Sequence, residues 1–362
     1  MLSKGHRVIL ASQGGRRGRG GIASLVTYLA DALPARLPGV RLDVLDTYGP
    51  GAFWAMPPIF FVALLKVILA RCVGQASLLH VHMACYGSAV RKPVLALVAT
   101  TIGLPTVMHL HGADFDDFFH ALAPWQRSAL VWVLRRCVRV VVIGNHWRDF
   151  AVKEVGLDPA RVVLIHNGAP ASARTIHEVS NQAPKLLMLG ELGPRKGTPE
   201  LIAALATPEL RRSAWTATLA GNGPVNQFRS EVAALGLSSR IHLPGWQTTD
   251  QVRVLLEAAD ILLLPSHKEG LPMAILEAMA AGVTIISTPV GSIPDAITDC
   301  ETGLLVPPGD AIALARAILR MLHDPALRQR LAVNARARFE LMFSIDRTAD
   351  GVATLYRELG IA

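Results

Sequence analysis

The stretch SHKEGLPMAILEAMAAG, residues 266–282, places two carboxylates, Glu269 and Glu277, on either side of a Gly-Leu-Pro turn that opens an Ala-rich apolar helix. A packing helix needs neither acid. Pro272 reads as the first helical position, where its missing N–H costs nothing. Glu269 then stands before the helix and Glu277 on its second turn. Between them the unpaired N–H groups of the helix start form a seat for negative charge, backed by the helix dipole. Two acceptors flanking an anion seat suit a polyhydroxylated molecule with a diphosphate in its middle, as in a nucleotide sugar.

Other loops carry residues of the same chemistry. In GELGPRKG (190–197), Arg195 and Lys196 sit at a helix start, an unfavourable place for cations unless an anion joins them. AGNGP (220–224) places Gly221 and Gly223 in a turn where backbone bends sharply or approaches a ligand. QGGRRGRGGIAS (13–24), with Gly20 and Gly21, is a Gly-rich loop opening a helix, without the spacing of a phosphate loop or a dinucleotide fingerprint. Asp46 offers a weak imitation of the acid that fingerprint requires. In HLHGADF (109–115), His111 follows a strand end and reads as a polar contact or a structural histidine; Asp114, Asp116 and Asp117 read as an acidic helix start rather than a metal cluster.

These loops need strands to hold them. Apolar segments at 6–12, 40–46, 77–82, 105–111, 138–144 and 161–166 alternate with helical ones, and the plan repeats at 185–190, 215–221, 240–245, 260–266, 283–288 and 303–307. Continuous apolar strands separated by helices predict parallel sheets covered on both faces, an α/β protein of two doubly wound, Rossmann-like domains. The predicted division is 1–168, a linker at 169–184, 185–343, and a closing helix at 344–362. Three helical patterns (309–323, 325–343, 345–360) end the chain without a further strand. Ligands in such sheets bind beyond the carboxyl ends of the strands, at a crevice.

Composition narrows the function. Residues 1–170 hold 18 Lys and Arg against 9 Asp and Glu, whereas 171–362 are almost neutral at 18 against 19. The first half therefore faces something anionic. Aromatic residues are only 6% of the chain and are not interleaved with a basic stripe, which argues against nucleic acid and leaves an anionic membrane surface or phosphorylated lipid. Arg16, Arg17, Arg19, Arg91 and Lys92 are the expected acceptor-side cations. Four scattered cysteines argue against disulfides and structural zinc, as in a cytosolic protein. The opening MLSKGHRVILAS reads as a strand rather than a signal peptide. The apolar run 59–74 would be about 24 Å long as a helix, short of the roughly 30 Å membrane core. It is expected to be buried or interfacial, and the protein cytoplasmic or peripheral on the inner membrane face.

Taken together, EGLPMAILE, the following AMAAGVTIISTPVGSIPDAITDCETGLLVPPGD, GELGPRKGTPELIAAL and AGNGP resemble the retaining glycosyltransferases of family 4, which have the GT-B fold. The similarity spans nearly the whole chain and is strongest over 185–310. HVHMACYGSAVRKP (80–93) and HLHGADF look like the members that assemble bacterial surface polysaccharides. The resemblance implies that 1–168 binds the acceptor and 185–343 the nucleotide sugar, with the last helix crossing back onto the first domain. It implies that Glu269 contacts the donor sugar, Glu277 the ribose, and Arg195 and Lys196 the diphosphate, with backbone of Gly270 and Leu271. His111 would lie beside the transferred sugar and the Gly20-Gly21 loop over the diphosphate. The family usually has Gly-Arg-Leu where this chain has Gly190-Glu191-Leu192, so Arg195 is expected to replace the missing cation.

The expected reaction moves a hexose-type sugar from a UDP- or GDP-sugar to a hydroxyl of a lipid-linked or oligosaccharide acceptor in polysaccharide or lipopolysaccharide biosynthesis. It would proceed with retention and without metal or cofactor, Arg195, Lys196 and the helix start stabilising the leaving diphosphate. Alternatives are an epimerase or hydrolase of the same shape, a pyridoxal-phosphate phosphorylase, and a non-catalytic membrane-surface module.

Overall fold

A computed structural model of the chain describes residues 6–18, 20–49, 56–174 and 183–361. They divide into two compact units, one of residues 1–168 with 345–362 and one of residues 169–344.

The first unit is built on six parallel strands: β1 (Arg7–Ser12), β2 (Arg41–Asp46), β3 (Leu78–Met83), β4 (Thr106–Leu110), β5 (Arg139–Val142) and β6 (Val162–Leu164), in the order β2-β1-β3-β4-β5-β6. Every residue of β3 and β4 is buried, which is why these segments read as continuous runs rather than alternating ones. The strands fall inside the segments expected from hydrophobicity, except that β3 runs one residue further, to Met83. The final helix, Ile345–Glu358, packs on the helix Gly21–Ala32 of this unit. Arg36 bridges its Asp346 and Asp350, each at 2.6 Å, and Thr348 Oγ1 donates to the His166 carbonyl at 3.0 Å.

The second unit repeats the plan with β7 (Lys185–Leu189), β8 (Thr216–Ala220), β9 (Ile241–Gly245), β10 (Ile261–Leu264), β11 (Thr284–Ser287) and β12 (Leu304–Leu305), in the order β12-β11-β10-β7-β8-β9. Its core of Leu, Ile and Val side chains lies between this sheet and helices that include Thr198–Leu205 and Ala311–His323. The chain leaves β7 towards β8 and β9, then returns to β10 on β7's other side. The loops after β7 and β10 therefore diverge at a topological switch point, where open parallel sheets bind ligands.

Candidate functional site

The loop after β7 makes a short turn, Pro194–Lys196, before the helix Thr198–Leu205. Gly197 joins them at φ +70°, and a Cβ there would lie 2.0 Å from the Pro265 carbonyl oxygen at the end of β10. The absent side chain lets the RKG turn touch the SHKEGLP loop. Gly221, after β8, faces a similar constraint: a Cβ would stand 1.6 Å from the Gly190 carbonyl oxygen. Both positions use glycine for close backbone packing.

Across this contact Lys196 Nζ meets Glu269 Oε1 at 2.5 Å, with Lys196 12% and Glu269 4% exposed. Ser266 Oγ donates to the same carboxylate oxygen at 2.6 Å, and Thr288 Oγ1 donates to the Ser266 carbonyl at 2.6 Å. The His267 amide donates to the Arg195 carbonyl at 2.9 Å, and Arg195 Nη1 to the Lys268 carbonyl at 3.3 Å. The structure thus joins Arg195, Lys196, Glu269 and Gly270 at the switch point. Arg195 is half-buried and Glu191, at the position where a cation was expected, is exposed. Leu271 is buried, and Glu277 lies half-buried on the second turn of the helix Met273–Ala280. Pro272 is the residue before that helix, at φ −73° and ψ 128°, so its first turn begins one residue later than the sequence suggested.

Sequence reasoning assigned no role to three neighbours. His267 Nε2 pairs with Glu200 Oε1 at 2.9 Å, linking the β10 loop to the helix after the RKG turn. Ser292 donates its amide to the Gly270 carbonyl at 2.8 Å, while its buried Oγ has no hydrogen-bond partner among the described residues. A Cβ on Gly291 would come 1.9 Å from the Glu269 carbonyl oxygen. Their signal was spatial: residues 291–292 lie beyond β11, and only the sheet order brings them to the β10 loop.

In the first unit, Gly20 precedes the helix Gly21–Ala32 at φ +90°, and a Cβ there would meet nothing within 4 Å. Asp46 is not an open ribose-binding acid. Its Oδ1 accepts the amides of Gly14, Tyr48 and Gly49 at 2.8–2.9 Å, which removes the dinucleotide reading. Asp116 and Asp117 occupy the first turn of the helix Phe115–Ala121, as the dipole favours.

Among the described residues, the acceptor-side cations Arg16, Arg91 and Lys92 do not form a common exposed face. Arg16 pairs with Asp31 at 2.6 Å. The Arg17 side chain and Arg19 lie outside the described residues. Arg91 is half-buried, its guanidinium 4.9 Å from the Tyr48 ring centre. Lys92 is fully buried with Nζ donating to the Ala11 carbonyl at 3.0 Å, and burial holds its amine well below the ordinary lysine range. The length of the Lys92 side chain carries its charge into the sheet, not out to solvent.

His111, 8% exposed, is held by its backbone amide on the Met83 carbonyl and by Nε2 against His82 Nδ1 at 2.9 Å. Burial, then the neighbouring His80, lowers its pKa to about 3, so the ring is neutral at physiological pH. A neutral imidazole can orient a hydroxyl but supplies no charge.

Comparisons with known proteins bear on both units. The family model "Glycosyltransferase Family 4" matches residues 1–172 and "Glycosyl transferases group 1" matches residues 172–338. The chain is 31% identical over 332 residues to the D-inositol 3-phosphate glycosyltransferase of Salinispora arenicola, covering 83% of this chain and 72% of that one. It is 25% identical to the alpha-D-kanosaminyltransferase of Streptomyces kanamyceticus (90% and 89% covered), and 27% identical to the amylovoran biosynthesis glycosyltransferase AmsK of Erwinia amylovora (77% of each). Among solved structures, Anabaena Alr3699/HepE in complex with UDP-glucose superposes with a TM-score of 0.74 at 19% identity, covering 97% of this chain and 99% of that one.

Proposed function

Because this chain belongs to glycosyltransferase family 4 and has the GT-B fold, we propose that it transfers a hexose-type sugar, with retention, from a UDP- or GDP-sugar to a hydroxyl of a lipid-linked glycan during polysaccharide or lipopolysaccharide assembly. The Lys196–Glu269 pair at the switch point of the second sheet carries the reading. Lys196 and Arg195 lie where a diphosphate would meet the start of the helix Met273–Ala280. As the sugar–phosphate bond breaks, the leaving diphosphate gathers charge, and fixed cations and amides stabilise it without a metal. Glu269 holds the donor sugar's hydroxyls and Glu277 the ribose, while Gly221 and Gly223 let the loop after β8 close on the backbone of Gly190 and Leu192 beside the nucleotide. The UDP-glucose bound by the Anabaena neighbour supports a nucleotide-sugar donor, and the relative named for amylovoran biosynthesis supports a role in polysaccharide biosynthesis.

The acceptor reading rests on one face of the first unit. Along the helix Met56–Cys72, Phe61, Val62, Leu65 and Leu69 form an exposed apolar stripe, while Ala63, Val67 and Ala70 face inward. The helix Ser88–Thr101 packs against it and against Pro124–Arg136, exposing Val90 and Val94; the latter helix exposes Trp125 and Trp132. Lys66, Arg135 and Arg136 are exposed on the same helices. Apolar side chains with interfacial tryptophans and flanking cations match an anionic bilayer surface. Among the described residues no helix is long and apolar enough to cross a membrane.

A thermal-shift panel of UDP-, GDP- and ADP-sugars tests the donor. A ligand at 100 times its Kd adds about 2.7 kcal/mol of stability. UDP- or GDP-sugars should raise Tm, and Glu269→Gln should lose the shift. No response to any nucleotide sugar would defeat the reading. Nucleotide release that does not increase with added lipid-linked acceptor would instead favour hydrolysis.

A further inference from the structure

Four histidines lie inside the first unit, more imidazoles than sugar transfer requires. His80 and His82 are two apart on β3 and so project to the same face of the sheet. His109 sits on β4 in register with His82. All three are 0–1% exposed, and one ring nitrogen from each lies within 4.8 Å of the others. Among the described residues His82 Nε2 and His109 Nε2 are buried without a hydrogen-bond partner, a state that native interiors seldom keep unless a water or an ion completes it.

The outer contacts are those of metal ligands. His80 Nδ1 bonds the Tyr356 hydroxyl at 2.6 Å, and His82 Nδ1 bonds His111 Nε2 at 2.9 Å. Each contact holds a ring by Nδ1 and leaves Nε2 free to bind, as the groups that hydrogen-bond ligating histidines do in zinc sites.

We propose that His80, His82 and His109 bind a divalent transition-metal ion of the zinc or cobalt type, with a structural role inside the first unit. Three imidazole ligands select such ions over magnesium or calcium, which prefer oxygen. The rings now stack, His80 on His82 with centroids 4.7 Å apart and planes 12° apart. Tetrahedral bonds of 2.0–2.1 Å need ligand nitrogens about 3.4 Å apart. Metal binding therefore requires the three rings to close in, and His80 Nε2 gives up its long 3.3 Å contact with His109 Nδ1. Because the cluster is buried, the ion enters during folding. Once bound, it joins β3 and β4 to the final helix through Tyr356. The inference does not depend on the transferase reading.

The test uses the full chain. Protein purified without chelators is assayed for metals by plasma mass spectrometry, and protein from cells grown in cobalt-supplemented medium is examined by visible absorption. A second sample is unfolded with chelator and refolded with or without Co²⁺. The expected results are a near-stoichiometric metal content, the intense visible bands of tetrahedral cobalt, and a higher Tm for the metal-refolded sample. His109→Leu and His80→Gln should abolish the bands. Wild-type protein with native circular dichroism but neither metal nor cobalt bands would overturn the proposal. So would bands that persist in both variants, because the ion would then sit elsewhere.

Discussion

Lys196 and Glu269 are both largely withdrawn from water, so each charge depends on the other. Removing one partner of a buried pair typically costs about 3–5 kcal/mol, whereas replacing both by neutral groups is often nearly neutral. Lys196→Met should therefore lower unfolding free energy in urea by about that amount, and Lys196→Met/Glu269→Gln should recover part of it. Transfer should fall by about 10²–10³ in the single variant and stay low in the double. Recovery of activity together with stability would show the pair to be structural only. Cysteine reactivity follows the same logic of burial. The Cys137 thiol is buried and pushed up to about 12, so at neutral pH it holds its proton and is no nucleophile. Brief iodoacetamide treatment of the native protein should label Cys72 and Cys300, which are exposed, and spare Cys137, as peptide mass spectrometry can read.

The final helix shows which interactions hold an element in place. Arg36 bridges Asp346 and Asp350, whose side chains are 69% and 56% exposed, and such pairs contribute little in water. Arg36→Ala should cost no more than about 1 kcal/mol. Leu355 is fully packed, and Leu355→Ala should cost about 2–5 kcal/mol because it leaves a cavity. Denaturant unfolding of the two variants ranks the contributions, and a larger loss for Arg36→Ala would contradict this ranking. The Met56–Cys72 helix is held differently. Its inward face is small residues, so its large apolar side chains are left in water. Phe61→Ser with Leu69→Ser should leave Tm within about 1 °C or raise it, since exposed positions have little effect on stability. The same pair should sharply reduce co-sedimentation with anionic vesicles; unchanged sedimentation would remove the membrane face.

At the scale of the whole molecule, two six-stranded parallel sheets belong to halves of different charge. The positive excess lies in residues 1–170, while in the near-neutral second half Arg195, Lys196 and Lys268 sit on the loops after β7 and β10. The proposed attraction of the first half to anionic lipid would be a sum of exposed charges and should weaken as salt shortens the Debye length from about 10 Å at 0.1 M to about 3 Å at 1 M. Apolar insertion is not screened in that way. Vesicle binding should therefore fall with salt but not vanish; complete loss would mean that the helix face takes no part.

The strands, their parallel pairing and the loops that carry Lys196 and Glu269 were legible in the amino-acid order, because burial on both faces writes continuous apolar runs and glycine marks close backbone approach. The two-unit plan was likewise visible as a repeated pattern. Direction and pairing of side chains were not. The sequence shows Lys92 as a cation beside Arg91, but its burial under β1 follows from a long side chain on the inner face of a helix. Asp46 looked available until three amides closed on it. His80, His82, His109 and His111 occupy two strands separated by a helix, and Ser292 follows β11 rather than β10. Contacts of this kind depend on strand order and register, which a linear pattern of hydrophobicity does not encode and tertiary packing alone decides.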